Sequence, residues 1–146
     1  MKKILLVLTA VSALFTACKI DEPDKDLQRT VFDQGNLKFI STSLNTKKET
    51  ASALYGNQEA LKSLTQESSI PEKGSVLKFV TWKYHENPQY TGGTITGELL
   101  SVETLQADQD GKISYQFKDQ SETKNDPPDK ESRIRYLMSY RPVSRP

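Results

Sequence analysis

The sequence is poor in the residue types that usually carry metal and covalent chemistry. Its 146 residues include one cysteine, Cys18, and one histidine, His85. A lone cysteine excludes an intrachain disulfide, and zinc sites need several Cys, His or carboxylate ligands together. No Gly-x-Ser-x-Gly, phosphate-loop or dinucleotide motif occurs. The sequence therefore indicates no catalytic residue and no metal site.

Along most of the chain, neither positive nor negative side chains are clustered. The 20 Lys and Arg residues are balanced by 19 Asp and Glu residues, and the two signs are interspersed. Because nucleic-acid binding depends on clustered basic residues, the sequence indicates no nucleic-acid partner. One basic cluster near the C-terminus is predicted to form a solvated strand face: Arg133, Arg135, Arg141 and Arg145.

No apolar run is long enough to cross a membrane. The N-terminal run, Ile4 to Phe15, falls short of the about 20 residues that a spanning helix needs. It is preceded by two lysines and followed by small residues. This order predicts a secretory signal peptide over residues 1–17.

The end of this signal resembles the lipobox of bacterial lipoproteins. It reads Leu14-Phe15-Thr16-Ala17-Cys18, with phenylalanine where leucine is usual. The resemblance implies that Cys18 becomes the first residue of the mature chain and carries several acyl groups, palmitate among them. Thiolates are the nucleophiles that such acylation needs, and two or more acyl chains anchor a protein stably to a membrane. The alternative is a plain signal peptide with an incidental cysteine.

Residues 18–35 are predicted to comprise the lipidated cysteine and a flexible tether. The stretch from Lys19 to Asp26 is charged, lacks an apolar period and contains Pro23, which is typical of a linker. It also resembles the tag that sends some lipoproteins to the outer face of the Gram-negative outer membrane. We therefore expect an outer-membrane anchor, with the periplasmic and the cell-surface face both open.

Segments with a two-residue period dominate the rest of the chain. Leu37 to Thr42 and Glu49 to Tyr55 predict a first hairpin, with turn residues between them. Asn57 then predicts the N-cap of a short helix that ends near Gln66.

Further strands follow in order along the chain. Ser75 to Tyr84 has apolar residues on both faces, which predicts a central strand. A mobile glycine-rich loop is expected over Tyr90 to Thr94. Leu99 to Ala107 and Lys112 to Lys118 then predict a hairpin whose turn contains Gly111.

The C-terminal element is ambiguous. Arg133 to Tyr140 alternates as a strand would, and we expect a strand, although the spacing of its apolar residues would also suit a helix. Ser121 to Lys130 predicts a surface loop. The expected fold class is α+β, mainly β: one domain over residues 36–146, with an antiparallel sheet of about five strands and one or two short helices.

The predicted domain resembles the cytochrome P-460 family from Leu37 to Pro146. The segments that carry the likeness are Leu54-Tyr55-Gly56-Asn57, Gly74-Ser75-Val76-Leu77, Val80-Thr81-Trp82, Asn87-Pro88 with Gly92-Gly93, and Leu100-Ser101-Val102-Glu103. The resemblance implies an exported domain built mainly on an antiparallel sheet, often dimeric. It also implies the redox or gas chemistry of a c-type haem.

The haem attachment site of that family is missing here. Covalent attachment needs Cys-x-x-Cys-His, and no cysteine or histidine follows His85. We therefore expect no haem and no other cofactor. The alternative is a haem held without covalent bonds by His85, with Met138 and the tyrosines as lesser ligand candidates. Trp82, Tyr84 and His85 are the residues of a possible ligand pocket, although aromatic residues in strands are more typical of a core.

Three functions are compatible with these features. The first is a membrane-anchored, haem-free module that binds a small ligand or a partner of unknown identity. The second is a redox or gas-binding protein with non-covalent haem, and the third is a structural surface lipoprotein. A homodimer is expected through the family resemblance. Glu98 and Glu103, considered as an acid–base pair, are predicted to face solvent from a half-exposed strand.

Overall fold

The computed structural model describes residues 32–87, 90–121 and 126–143. The predicted signal peptide, Cys18 and most of the predicted tether lie outside these ranges. The elements of the described chain are β1 (Lys38–Asn45), β2 (Thr50–Gly56), α1 (Gln58–Thr65), β3 (Val76–Glu86), β4 (Thr94–Ala107), β5 (Ile113–Asp119) and α2 (Lys130–Met138). Neither of these helices is long and apolar enough to cross a bilayer.

The strands form one five-stranded sheet whose order follows the sequence, β1-β2-β3-β4-β5. Every neighbouring pair is antiparallel. The predicted class, α+β and mainly β with about five strands, is confirmed. β3 is the middle strand, as its two apolar faces predict.

The β4–β5 turn forms from residues that bond within the turn itself. Oδ1 of Asp108 accepts hydrogen bonds from the backbone N–H groups of Asp110 at 3.0 Å and Lys112 at 2.8 Å. Gly111 has a φ of +87°, a left-handed conformation that glycine adopts without steric cost. The predicted hairpin is confirmed.

The start of α1 is fixed by Asn57 and Gly56. Oδ1 of Asn57 accepts from the backbone N–H of Ala60 at 3.1 Å and from that of Val76 at 3.0 Å, so one side chain caps α1 and ties it to β3. A Cβ on Gly56 would lie 2.7 Å from Cδ1 of Ile40. Glycine therefore lets the chain enter the helix in close contact with β1.

Both helices pack on one face of the sheet, which we call the helix face. Its buried side chains are Ile40, Leu54, Ala60, Leu64, Leu77, Phe79, Leu105, Leu137 and Met138. Complete burial of one large apolar side chain stabilises a fold by about 1.5–3 kcal/mol. This cluster, drawn from four strands and two helices, therefore forms the main core.

A second apolar cluster lies on the opposite face, which we call the Trp82 face. It consists of Ala53, Val80, Trp82 and Val102, with Phe32, Tyr55 and Leu99 partly buried against them. Alternation along β3 explains both clusters, because Leu77 and Phe79 point to one face and Val80 and Trp82 to the other. Phe32 also shows that packing begins before residue 36, where the predicted domain starts.

The predicted C-terminal strand is wrong, because this segment forms helix α2. Leu137 and Met138 are adjacent and both buried in the helix-face core. In a strand, adjacent side chains would point to opposite faces. A carboxylate oxygen of Asp129 accepts from the backbone N–H of Ser132 at 2.9 Å and caps the helix.

β4 is longer than predicted. It begins at Thr94 rather than Leu99, so the glycine-rich loop before it is shorter than expected. The backbone N–H of Asn87 donates to the carbonyl of Gly93 at 2.8 Å, which closes the β3–β4 hairpin directly before the strand.

Candidate functional site

The predicted pocket residues lie in the second half of β3 but do not share one face. Trp82 and Tyr84 are each 8% exposed, and strand alternation places both on the Trp82 face. His85 is half-buried on the other face and pairs with Ile95 of β4. Its imidazole covers Gly97, where an added Cβ would lie 3.1 Å from the ring. The structure therefore brings Trp82 and Tyr84 together and separates His85 from them.

The indole of Trp82 has an unsatisfied hydrogen-bond donor. Among the described residues, its Nε1 is the buried side-chain polar atom without a hydrogen-bond partner. Its cross-strand neighbours are Ala51 on β2 and Leu99 on β4, whose side chains offer no acceptor. An unpaired buried donor costs about 1–3 kcal/mol. A molecule that supplied an acceptor here would recover that free energy.

β4 is irregular next to this indole. The strand pairing shifts on both sides of the Trp82–Leu99 pair, and Tyr84 pairs with Thr96. Extra residues in one strand bend it and increase its twist, and such bulges often reorient side chains beside a binding site. The irregular pairing of β4 thus lies beside the unpaired indole N–H of Trp82.

The chain lacks the cysteines and the histidine that would attach the covalent haem of the cytochrome P-460 family. Cys18 is the only cysteine of the sequence and lies outside the described residues. Met138 is 3% exposed within the helix-face core, and His85 lies on the face opposite Trp82. The described ranges contain no group of three or more His, Cys, Asp or Glu side chains that could hold a metal ion.

A buried ion pair joins β4 to α2. Glu103 is 3% exposed. Nε of Arg133 donates to its Oε2 at 2.8 Å, and a terminal guanidinium nitrogen donates to Oε1 at 2.6 Å. The hydroxyl of Tyr115 also donates to Oε2, at 2.7 Å. The predictions that Glu103 faces solvent and that Arg133 lies on a solvated strand face are both wrong.

Burial and charge keep the donors of this cluster protonated. Burial, with the hydrogen bond to Glu103 and the negative charge of Glu103, raises the pKa of the Tyr115 phenol well above its usual value. Burial lowers the pKa of the Arg133 guanidinium, but the hydrogen bonds and charge of Glu103 outweigh it and raise that pKa overall. Neither donor is tuned to exchange a proton near neutral pH, so the arrangement suits a structural role.

Two aromatic rings flank the Arg133 guanidinium, and a third packs against both of them. Its central carbon lies 4.4 Å from the ring centroid of Tyr136 and 5.7 Å from that of Phe79, within the range of cation–π attraction. Tyr140 packs edge-on against both rings. Its hydroxyl hydrogen-bonds to the hydroxyls of Tyr136 at 2.8 Å and Ser43 at 2.7 Å. This network attaches α2 to β1 and β3.

A signal for the ion pair was present in the sequence. Alternation places Glu103 on the same face of β4 as Leu105, which is completely buried. Arg133 lies one helical turn before Leu137 and therefore on the same side of α2. An acidic residue on the core face of a strand predicts a buried basic partner. Arg133 can be identified as that partner only if its segment is predicted to be a helix, because the helix places it on the same side as Leu137.

Cavities also open on the surface of the described residues. One, of about 510 Å³, is lined by Ser68, Ile70, Pro71, Glu72, Lys73, Gly111 and Ile113. Another, of about 270 Å³, is lined by Leu64, Thr65, Arg141, Pro142 and Val143. Neither contains an unpaired buried side-chain donor, so the Trp82 face remains the better candidate site.

Comparison of the chain with protein-family models and with curated proteins finds no match. The resemblance to the cytochrome P-460 family therefore rests on the quoted residues alone.

Proposed function

We propose that the chain is an exported lipoprotein whose haem-free, cytochrome P-460-like domain binds a small ligand on the Trp82 face. Lipid on Cys18 anchors it to the outer membrane. The observation that carries the binding role is the buried indole N–H of Trp82, which has no partner in the described chain. The anchoring role is supported by the lipobox-like residues before Cys18, since multiple acyl chains give stable membrane attachment.

The chemistry around the indole defines the class of ligand. Phe32, Tyr55 and Leu99 are partly buried against this cluster and supply apolar surface on the same face, and apolar surface with a few placed polar groups is typical of small-molecule sites. The unpaired indole N–H favours a molecule that carries a hydrogen-bond acceptor. The proposed ligand is therefore planar or apolar and carries a hydroxyl or carbonyl oxygen.

Calorimetric titration with 1-naphthol, a planar apolar molecule with one hydroxyl, tests this proposal. We expect saturable binding to the purified protein. Trp82→Phe keeps an aromatic ring but removes the N–H, and should weaken binding by about fivefold to tenfold, the effect of one hydrogen bond. His85→Ala, on the opposite face, is the matched control and should bind as the wild type does. Equal affinity of wild type and Trp82→Phe would contradict the proposal.

The absence of haem is tested by the visible spectrum of protein expressed with ample haem. We expect no Soret band. A strong band that His85→Ala removes would instead favour a non-covalent haem protein, whereas a band retained in that variant would indicate another axial ligand.

A further inference from the structure

The apolar cluster of the Trp82 face has no covering element within the described ranges of the chain. Both helices pack on the helix face. Of the three residues packed against Ala53, Val80, Trp82 and Val102, only Phe32 lies outside the strands. Those four side chains are nevertheless at most 8% exposed. Because folded domains bury an apolar sheet face under a second layer, this cluster requires a cover that the described sheet and helices do not supply.

Phe32 shows where the chain that precedes it begins. It is the first described residue, and its ring centroid lies 5.8 Å from that of Tyr55. Nζ of Lys78 lies 5.7 Å from the same ring centroid. Tyr55 and Lys78 are cross-strand neighbours, and alternation along β3 places Lys78 on the same face as Trp82. The segment before Phe32 therefore starts on the Trp82 face.

This preceding segment has the length and the composition of a cover. Trp82 lies four residues beyond Lys78, about 13 Å along the strand. Five extended residues reach about 17 Å, so residues 27–31 can extend from Phe32 to the indole. The first and the last of them are apolar, whereas the stretch before them, residues 19–26, is predominantly charged. In an extended chain, residues four apart share a face, so both apolar side chains can point to the sheet.

We propose that residues 27–31 cover the Trp82 face, with Leu27 over the indole of Trp82, and that the ligand must displace them. The displacement rests on the ligand site proposed above, whereas the cover does not. Burial of Leu27 and Val31 removes apolar surface of both the segment and the sheet from water, and a backbone carbonyl of the segment can accept a hydrogen bond from the indole N–H. The ligand then binds only the fraction of molecules whose segment has left the face, so the cover lowers the apparent affinity by that fraction.

Quenching of Trp82 fluorescence by acrylamide tests the cover without a ligand. Trp82 is the only tryptophan, so the purified protein gives a single tryptophan signal. Leu27→Asp replaces the apolar contact with a charge that resists burial and should increase the quenching constant at least several-fold. Gln28→Asp adds the same charge at the neighbouring residue, which faces away from the sheet when the segment is extended, and should be quenched as the wild type is.

Calorimetric titration of the same variants tests the displacement. Leu27→Asp should bind 1-naphthol at least several-fold more tightly than the wild type, and Gln28→Asp should bind as the wild type does. Equal affinities of the two variants would overturn the displacement, and equal quenching of the two would overturn the cover. Quenching that falls with rising protein concentration would also overturn the cover, because a second copy would then shield the indole. If no variant binds 1-naphthol, the proposed ligand site is wrong and the quenching comparison alone decides the cover.

Discussion

Arg133 and Glu103 stabilise the fold only as a pair. Removing two charges from water is costly, and their attraction offsets this cost only where the geometry is good and the remaining hydrogen-bonding sites are filled. Both carboxylate oxygens of Glu103 accept a hydrogen bond from Arg133, and one also accepts from Tyr115. The side chain of Glu103 is 4% exposed, so water would not replace a missing partner.

Arg133→Ala is expected to lower the free energy of unfolding by about 3 kcal/mol, because it leaves Glu103 buried and unpaired. Chemical denaturation measures this change. Arg135→Ala removes the same charge from an exposed position of α2 and should cost less than about 1 kcal/mol. Arg133→Met combined with Glu103→Leu should recover most of the loss. Equal effects of the two single substitutions would show that the buried pair does not stabilise the fold.

The partly buried phenols of Tyr115 and Tyr140 make the fold sensitive to alkali. Burial is the main cause that raises the pKa of both Tyr115 and Tyr140, whereas tyrosines of the unfolded chain ionise near about pH 10. Above that pH the unfolded chain has lost protons that the folded chain retains, so stability falls as pH rises. The stabilising contribution is fully present below about pH 9.

The free energy of unfolding, measured from about pH 8 to pH 11, should therefore decline at the upper end. Tyr115→Phe should make the decline shallower, since it removes one of the three tyrosines with a raised pKa, Tyr55, Tyr115 and Tyr140. Tyr90→Phe, at a side chain that is 69% exposed, is the control and should leave the slope unchanged. An identical slope in wild type and Tyr115→Phe would contradict this origin of the alkaline sensitivity.

Among the elements, those with local determinants could be predicted from the sequence. Asn57 caps α1 through the backbone of Ala60, and Gly111 permits the β4–β5 turn. The contacts that stabilise α2 instead involve residues far away in the sequence. Arg133 bonds a residue 30 positions earlier in the chain, and Leu137 is buried only because the helix lies on the sheet. Alternation within the segment could not reveal either contact.

Val80→Asp is expected to unfold the domain. Val80 has no exposed surface and pairs with Ala53 and Val102 on the flanking strands, so the new carboxylate would be buried without a cation. Thermal unfolding followed by circular dichroism measures the effect. Gln106→Asp introduces the same charge at an exposed position of β4 and should shift Tm by only a few degrees. A Tm for Val80→Asp equal to that of the control would show that this position tolerates a charge.

For the whole molecule, the strand pattern was sufficient to predict the fold class but not the candidate site. Two-residue periods identify the strands and their order because consecutive antiparallel strands usually pair. The pattern also placed Trp82 and Tyr84 near each other. It did not show that the Trp82 N–H is unpaired, because the available acceptors depend on which side chains β2 and β4 bring beside it. The opposite orientation of His85 follows from alternation and could have been predicted.

The proposed anchor depends on a single residue before the fold. Cys18→Ser should abolish incorporation of radiolabelled palmitate in cells, because no other thiol is present in the chain. Adding Ser114→Cys to this variant supplies a thiol on exposed β5 and should not restore the label, since it lies outside the lipobox-like segment. Equal labelling of wild type and Cys18→Ser would refute the anchor.

The binding proposal is tested most directly by the indole N–H itself. Trp82 is the only tryptophan, so a ¹H–¹⁵N spectrum contains a single tryptophan indole signal. The account predicts that 1-naphthol moves this signal downfield as the N–H gains an acceptor, and that the shift saturates over the same concentration range as the calorimetric titration. An indole signal that stays in place at saturating 1-naphthol would contradict the claim that a ligand binds through Trp82.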